Sequence, residues 1–266
     1  TLSSLNPAES RTQKWFWIFF GVILAWMIGF RHEVGGDWVE YLRIHNTLPV
    51  AVPLAESIKQ KAMVYGAYSF PGFDQIYDSL NLYMHRWGFG IYGVNLICGM
   101  LFVYGLMKFC SKQPLPWLAL SVSIPYIVIV VAMGYTRQAV ALGFLFLGLS
   151  FLHEGRWKTY IVVILLGVIV HKSILLCLPF AILGNKKIGK LQWVMVVFIM
   201  ILTGLYFIDD FNDYIYRFIY NPRTAQESAG GLIRLLINTL PAILLVLFWK
   251  KWKIRYGNNE PWYWMA

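Results

Sequence analysis

The chain has 266 residues, of which 58% are hydrophobic, 17% aromatic and only 14% charged, and its formal net charge is +10. Soluble domains carry about 25% charged residues, so that class is excluded, and the long apolar runs read as membrane spans of about 20 residues. In a membrane protein a basic excess marks cytoplasmic loops rather than nucleic-acid binding, and three cysteines without paired spacing (Cys98, Cys110, Cys177) point away from disulfides and zinc.

The predicted fold is all-α: one integral membrane domain, 1–266, as a polytopic helix bundle with about six full spans and a broken pair of short helices. Residues 14–30 form the first span, which reads as retained because no small-residue cleavage site follows it. Phe30-Arg31-His32-Glu33-Val34-Gly35-Gly36-Asp37-Trp38 closes that span with charges and a glycine pair. A glycine pair permits a tight turn there. On the bland reading this is a helix end with a snorkelling Arg and an interfacial Trp. On the other reading it is a polar site under a membrane roof. Residues 31–91 form an outer-face polar and aromatic segment, irregular around 50–54, which holds Pro53 and follows Pro49. Within it, 73–87 has near-helical spacing suited to the membrane interface.

Spans follow at 92–109 and 117–133, the second holding Pro125, which a bundle tolerates. Gly134-Tyr135-Thr136-Arg137 reads as a tight polar turn, and 138–152 returns across the bilayer. The run 159–183 is apolar except for His171-Lys172-Ser173 at its centre. One long helix would put His and Lys at mid-membrane, which is costly. Short helices at 159–170 and 173–183 would instead meet at His171 on a surface or in a wet cavity. The last spans are 191–208 and 232–249.

Charge location favours the broken pair. It gathers Arg11/Lys14, Lys108/Lys112, Arg156/Lys158, Lys186/Lys187/Lys190 and Lys250/Lys251/Lys253/Arg255 on one side. That side then holds 13 of the 23 Lys and Arg and three acids (Glu9, Glu154, Glu260), and the other side balances to zero. This is the asymmetry of the positive-inside rule.

With this topology the unusual polar groups fall on the outer side: Arg31, Asp37, Arg137, Gln138, His171, Lys172 and Ser173. Arg217, Arg223 and Arg234 flank the last outer loop, which also carries Asp209, Asp210 and Asp213. Arginines at membrane depth suit a lipid-linked phosphate or pyrophosphate, which the guanidinium fork binds bidentately. A nearby His or Asp suits a general base for a hydroxyl. Taken singly, Arg137 reads as a helix-end residue and His171 as a satisfied interior His. Arg234, just after Gly230-Gly231 and inside an apolar run, is harder to read that way. Trp87, Trp117 and Trp157 read as interfacial belt.

In order and spacing these residues resemble the EpsG-like family of bacterial polysaccharide polymerases, which includes many O-antigen (Wzy-type) polymerases. The resemblance rests on Phe30-Arg31 with Val34-Gly35-Gly36-Asp37-Trp38 and Tyr41, and on Arg137-Gln138 with Ala141. It continues through Gly155-Arg156-Trp157-Lys158 to His171 and Ser173, and ends at Gly230-Gly231 with Arg234 and Pro241. It implies an enzyme of the bacterial cytoplasmic membrane with its site facing the periplasm or cell exterior. Such an enzyme joins undecaprenyl-pyrophosphate-linked oligosaccharide repeat units into O-antigen or exopolysaccharide, releases lipid pyrophosphate and needs no nucleotide sugar. It implies Arg137, Arg234 and Arg31 on the pyrophosphate, and Asp37 or His171 on the acceptor proton. Tyr41, Gln138, Ser173, Arg217 and Arg223 are further substrate-binding candidates. The implied partners are the lipid-linked oligosaccharide, membrane lipid and a chain-length regulator, without nucleic acid; no cofactor and no metal is expected. Relatives carry further terminal helices, so the chain, from Thr1 to Ala266, reads as a fragment. Three rival readings stand beside this one: a ligase moving finished glycan to another acceptor, a transporter or flippase of an anionic lipid, and a structural membrane partner.

Overall fold

The computed structural model describes residues 11–47, 56, 75–183, 190–206, 208, 212, 236, 239–240, 243–244 and 246–251, and among them it is helical with no strand. The chain divides into two compact units, Thr1–Leu175 and Leu176–Ala266.

In the first unit α1 spans Arg11–Gly29, α2 Trp38–Thr47, α3 Gln75–Arg86 and α4 Gly90–Cys110. α5 begins at Pro116–Ser123 and widens into a π-helix over Ile124–Ala132. α6 is Thr136–His153 and α7 is Trp157–Val168. Among the described residues, three helices are long and apolar enough to cross a membrane: Thr12–Gly29, Gly90–Cys110 and Thr136–His153. Pro116–Ala132 and Trp157–Val168 are apolar but shorter.

α4 is the axis, packed by α1, α3 and α6. Its glycines set the distances. A Cβ on Gly105 would lie 1.9 Å from the Gly143 carbonyl oxygen, and one on Gly143 would lie 2.7 Å from the Phe102 Cα. α4 and α6 therefore cross backbone to backbone, as small residues permit in membrane bundles. At the far end of α1, a Cβ on Gly29 would come 2.8 Å from the Leu96 Cα. Phe102, Leu106, Val128 and Ala139 fill the core beside these crossings. Trp15, Phe19, Val22 and Trp26 stand exposed on α1, the arrangement of a helix whose outer face meets lipid.

Several expected boundaries shift. The helix expected at 14–30 runs Arg11–Gly29, and the one expected at 92–109 is Gly90–Cys110. The span expected at 117–133 is half π-helix, because Pro125 has no N–H to donate and the turn widens around it; the Met133 N–H bonds the Val128 carbonyl, five residues back. The span expected at 138–152 starts earlier, so Arg137 and Gln138 lie in the first turn of α6 and not in a loop. The helix expected at 159–170 is Trp157–Val168. The expected partner helix 173–183 is replaced by a 3-10 turn at Lys172–Cys177 and a short helix, α8, at Phe180–Leu183. Pro179 accounts for that break: its ring cannot continue an α-helix, and it restricts Leu178 before it. The outer segment carries α2 and α3 in its described part. α3 packs one face on the bundle, burying Tyr77, Asn81, Leu82 and Met84, and leaves Ile76, Tyr83 and, just past its end, Trp87 exposed.

In the second unit α9 spans Lys190–Tyr206, where 191–208 was expected. It exposes Val194, Phe198 and Ile201, and the Thr203 hydroxyl bonds the Ile199 carbonyl. Residues 246–251 are helical; the rest of the expected span 232–249 lies largely outside the described residues, as do Pro49 and Pro53.

Candidate active site

The site is built from two turns that lock together. After α1 the chain turns at Glu33 (φ 51°) and Gly35 (φ 104°). A Cβ on Gly35 would lie 2.5 Å from the Met133 carbonyl oxygen and 2.7 Å from the Gly134 Cα, so this position admits only glycine. Gly36 is less constrained: a Cβ there would lie 3.5 Å from the Tyr135 hydroxyl, an ordinary contact. The Gly35 turn thus seats on the turn between α5 and α6. Asp37 is carried to the N-cap position of α2, and Arg137 stands in the first turn of α6.

Arg31 pins this junction from inside. It is only 4% exposed, so it does not snorkel. Its Nη1 donates to the Ala132 carbonyl at 2.7 Å, and its Nη2 donates to the Thr136 hydroxyl. The Ala132 carbonyl ends the π-helix and would otherwise be an orphan acceptor. Thr136 passes the bond on to the Asn95 carbonyl oxygen of α4 at 3.3 Å. One buried arginine therefore ties together α1, α4, α5 and α6. Burial lowers its pKa, and the acidic groups nearby, Tyr41 and Tyr77 ahead of Asp37, work against that shift. The Arg31 Nε and the Asn95 amide nitrogen are buried with no acceptor among the described residues.

Arg137 is half-buried in front of this junction, with its guanidinium carbon 5.8 Å from the centre of the Tyr77 ring. Tyr77 in turn packs on Tyr41, ring centres 5.6 Å apart. The Tyr41 hydroxyl donates to an Asp37 carboxylate oxygen at 3.4 Å. Burial raises the Asp37 pKa above the usual aspartate range, and it outweighs the Tyr41 bond and the Arg137 charge, which pull it down. Tyr41 is also raised by burial, against the charge and hydrogen bonding of Arg137. A carboxyl raised in this way, next to a positioned guanidinium, has the balance of a general base near an anion site.

His171 lies at the same end. α7 runs back along α6, so that Gly167 faces Phe144, and Val170 packs on the cluster of Trp38, Tyr41, Tyr77 and Val140. The helix stops there, and the His171 N–H bonds the Gly167 carbonyl at 3.0 Å. The side chain is half-buried, and Ser173 is exposed just beyond it. Gln138 is exposed, on the turn that carries Arg137. Arg31, Asp37, Tyr41 and Arg137 thus come together in one constellation, with His171 on its flank. Arg217, Arg223 and Arg234, with Asp209, Asp210 and Asp213, lie outside the described residues.

An aromatic rim surrounds the turn. Phe30 stacks on Tyr92 with centres 6.4 Å apart, and the His32 ring bonds the Tyr92 hydroxyl at 2.6 Å. Tyr77, Asn95 and Thr136 were not singled out as site residues by the sequence. A signal existed for Asn95, a carboxamide inside an otherwise apolar span, since polar groups at membrane depth are seldom idle. None existed for Tyr77. Among the described residues, no three His, Cys, Asp or Glu side chains gather as a metal-binding group.

The sequence model of the EpsG family matches residues 14–266. No curated protein and no solved structure matches the chain.

Proposed function

Because the chain belongs to the EpsG family, a family of polysaccharide-polymerase-like membrane proteins, we propose that it joins undecaprenyl-pyrophosphate-linked oligosaccharide repeat units at the outer face of the cytoplasmic membrane. The observation that carries this reading is the Arg137 guanidinium, held against Tyr77 at the N-terminus of α6 beside the raised carboxyl of Asp37. A helix N-terminus with a guanidinium in its first turn favours a polyanion.

In the proposed reaction the acceptor sugar hydroxyl attacks the anomeric carbon of the donor chain. Its proton passes to Asp37, the new glycosidic bond forms, and the bond from the anomeric carbon to the pyrophosphate oxygen breaks. Pyrophosphate leaves with the bonding electrons, and Arg137 stabilises the charge that develops there. Arg31 acts behind it as a positioning residue, holding the start of α6 through Ala132 and Thr136. His171 stands as the second proton carrier, or as the group that orients the acceptor. Phe30 and Tyr92 offer ring faces to sugars.

The test is reconstitution of the full chain with lipid-linked repeat units as the only substrate. A ladder of polymers with released lipid pyrophosphate is expected. Transfer only to a separate lipid or protein acceptor would make the protein a ligase, and movement of intact lipid without a covalent product would make it a transporter.

A further inference from the structure

α1 and α4 do not pack evenly along their length. Near Gly29 their backbones meet, and a Cβ on Gly99 would sit 3.3 Å from the Ala25 carbonyl oxygen. Toward the other end a groove of about 850 Å³ opens between them, rimmed by Lys14, Lys108 and Lys112 and walled by Ile18, Val22 and Tyr104. From Lys14 to Ala25 α1 rises about 16 Å at 1.5 Å per residue. That is about half of the ~30 Å hydrocarbon core, so the groove is one leaflet deep. Its walls are apolar and its mouth is cationic. Lys112 pairs with Glu154 at 2.9 Å, and Glu154 is shared with Arg156 at 3.7 Å. Among the described residues one acid thus faces several cations, which leaves the mouth positively charged.

We propose that this groove binds one anionic phospholipid of the leaflet at the lysine-rich end. Its phosphate sits between Lys14 and Lys108, and one acyl chain lies along Ile18, Val22 and Tyr104. Charge complementarity selects the occupant. A zwitterionic lipid brings the same phosphate with a headgroup cation that the lysines repel, and a soluble anion would use the mouth without the apolar walls. Basic pockets between membrane helices bind anionic headgroups for this reason. The site lies at the opposite end of α1 from Arg31 and Asp37, so its fate is independent of the polymerase reading.

The test is native mass spectrometry of the full chain with phosphatidylglycerol and phosphatidylcholine of identical acyl chains. Preferential retention of phosphatidylglycerol is expected. Lys14→Gln with Lys108→Gln should weaken it about twenty-five-fold, from about fivefold per lysine. Lys14→Arg with Lys108→Arg should preserve it, which separates loss of charge from loss of fold. A photo-crosslinking amino acid at Tyr104 should capture lipid. Equal retention of the two lipids, an unchanged Gln double variant, or crosslinking of Tyr104 to another segment of this chain would overturn the proposal.

Discussion

Two arginines of the constellation look alike in the sequence and differ in the fold. Arg31 spends both terminal nitrogens inside the protein, on Ala132 and Thr136. Arg31→Ala would leave a buried carbonyl unsatisfied, which costs about 1–3 kcal/mol. Its first effect should therefore be a lowered thermal midpoint and lower protein yield. Arg137 is half-buried in front of that network. Arg137→Ala should leave yield and melting unchanged and reduce polymerisation about 10²–10³-fold, the usual effect of removing one stabiliser of a leaving anion. A purified Arg137→Ala enzyme that polymerises at the wild-type rate would remove this residue from the chemistry. Asp37 gives a pH signature. Its pKa lies above the usual aspartate range because of burial, so the base is lost as pH falls through that raised value. The acid limb of the rate profile should sit above an ordinary aspartate's, and Asp37→Asn should abolish the limb together with most of the rate. The stability term has the opposite sign. The folded chain binds this proton more tightly than the unfolded one, so its stabilisation is present at low pH and lost as pH rises through the window. Arg31, Asp37 and Arg137 were legible because charge at the ends of apolar runs stands out. Tyr77 was not, because only the packing of α3 onto Tyr41 turns an ordinary aromatic into the seat of a guanidinium.

Elements were legible where hydropathy alone decides them and illegible where contact does. The spans at 92–109 and 138–152 were close to α4 and α6. The glycines that decide how those two helices cross carried no visible signal, since Gly105 and Gly143 in an apolar run read as filler. Gly105→Ala should cost at least the ~1–3 kcal/mol of overpacking, because the new methyl would collide with the backbone at Gly143. The measurement is the thermal midpoint in detergent, and a neutral result would mean that the two helices cross elsewhere. The pairing of α2 with α3 was equally hidden, since it needs two histidines 40 residues apart to meet. His45 is buried, stacks on His85 with ring centres 4.7 Å apart and faces the Asn81 carbonyl oxygen at 3.3 Å. Burial holds its pKa below the ordinary histidine value, with His85 adding to the effect. The unfolded chain therefore takes up this proton first. The stabilisation is present above the ordinary histidine pKa and is lost as pH falls from there through the lowered value of the folded chain. Amide exchange of α2 and α3, corrected for intrinsic rate, should accelerate on acidification in that window. His45→Gln should flatten the dependence, and equal slopes in both proteins would assign it elsewhere.

At the scale of the whole molecule the issue is which end of the bundle faces which compartment. Lys14, Lys108, Lys112, Arg156 and Lys158 share one end of the first unit, while Arg31, Asp37, Arg137 and His171 share the other. The positive-inside rule would put the first set on the cytoplasmic side, the orientation that the proposed function needs. α7 bears on this through its length. Twelve helical residues rise about 18 Å, well short of the ~30 Å hydrocarbon core. A continuous helix through 159–183 is not formed: α7 ends at Val168 and a 3-10 turn follows at Lys172–Cys177. Ser173 and Lys158 are both exposed and stand at opposite ends of this short helix, so a pair of single-cysteine variants can read the orientation. With Cys98, Cys110 and Cys177 replaced by Ser or Ala, Ser173→Cys should react with a membrane-impermeant maleimide added to intact spheroplasts. Lys158→Cys should react only after the membrane is opened. Labelling of Lys158→Cys from outside, with Ser173→Cys protected, would turn the arginine constellation toward the cytoplasm. A lipid-linked oligosaccharide displayed on the outer face could not reach it there, and the polymerase reading would fail on geometry alone.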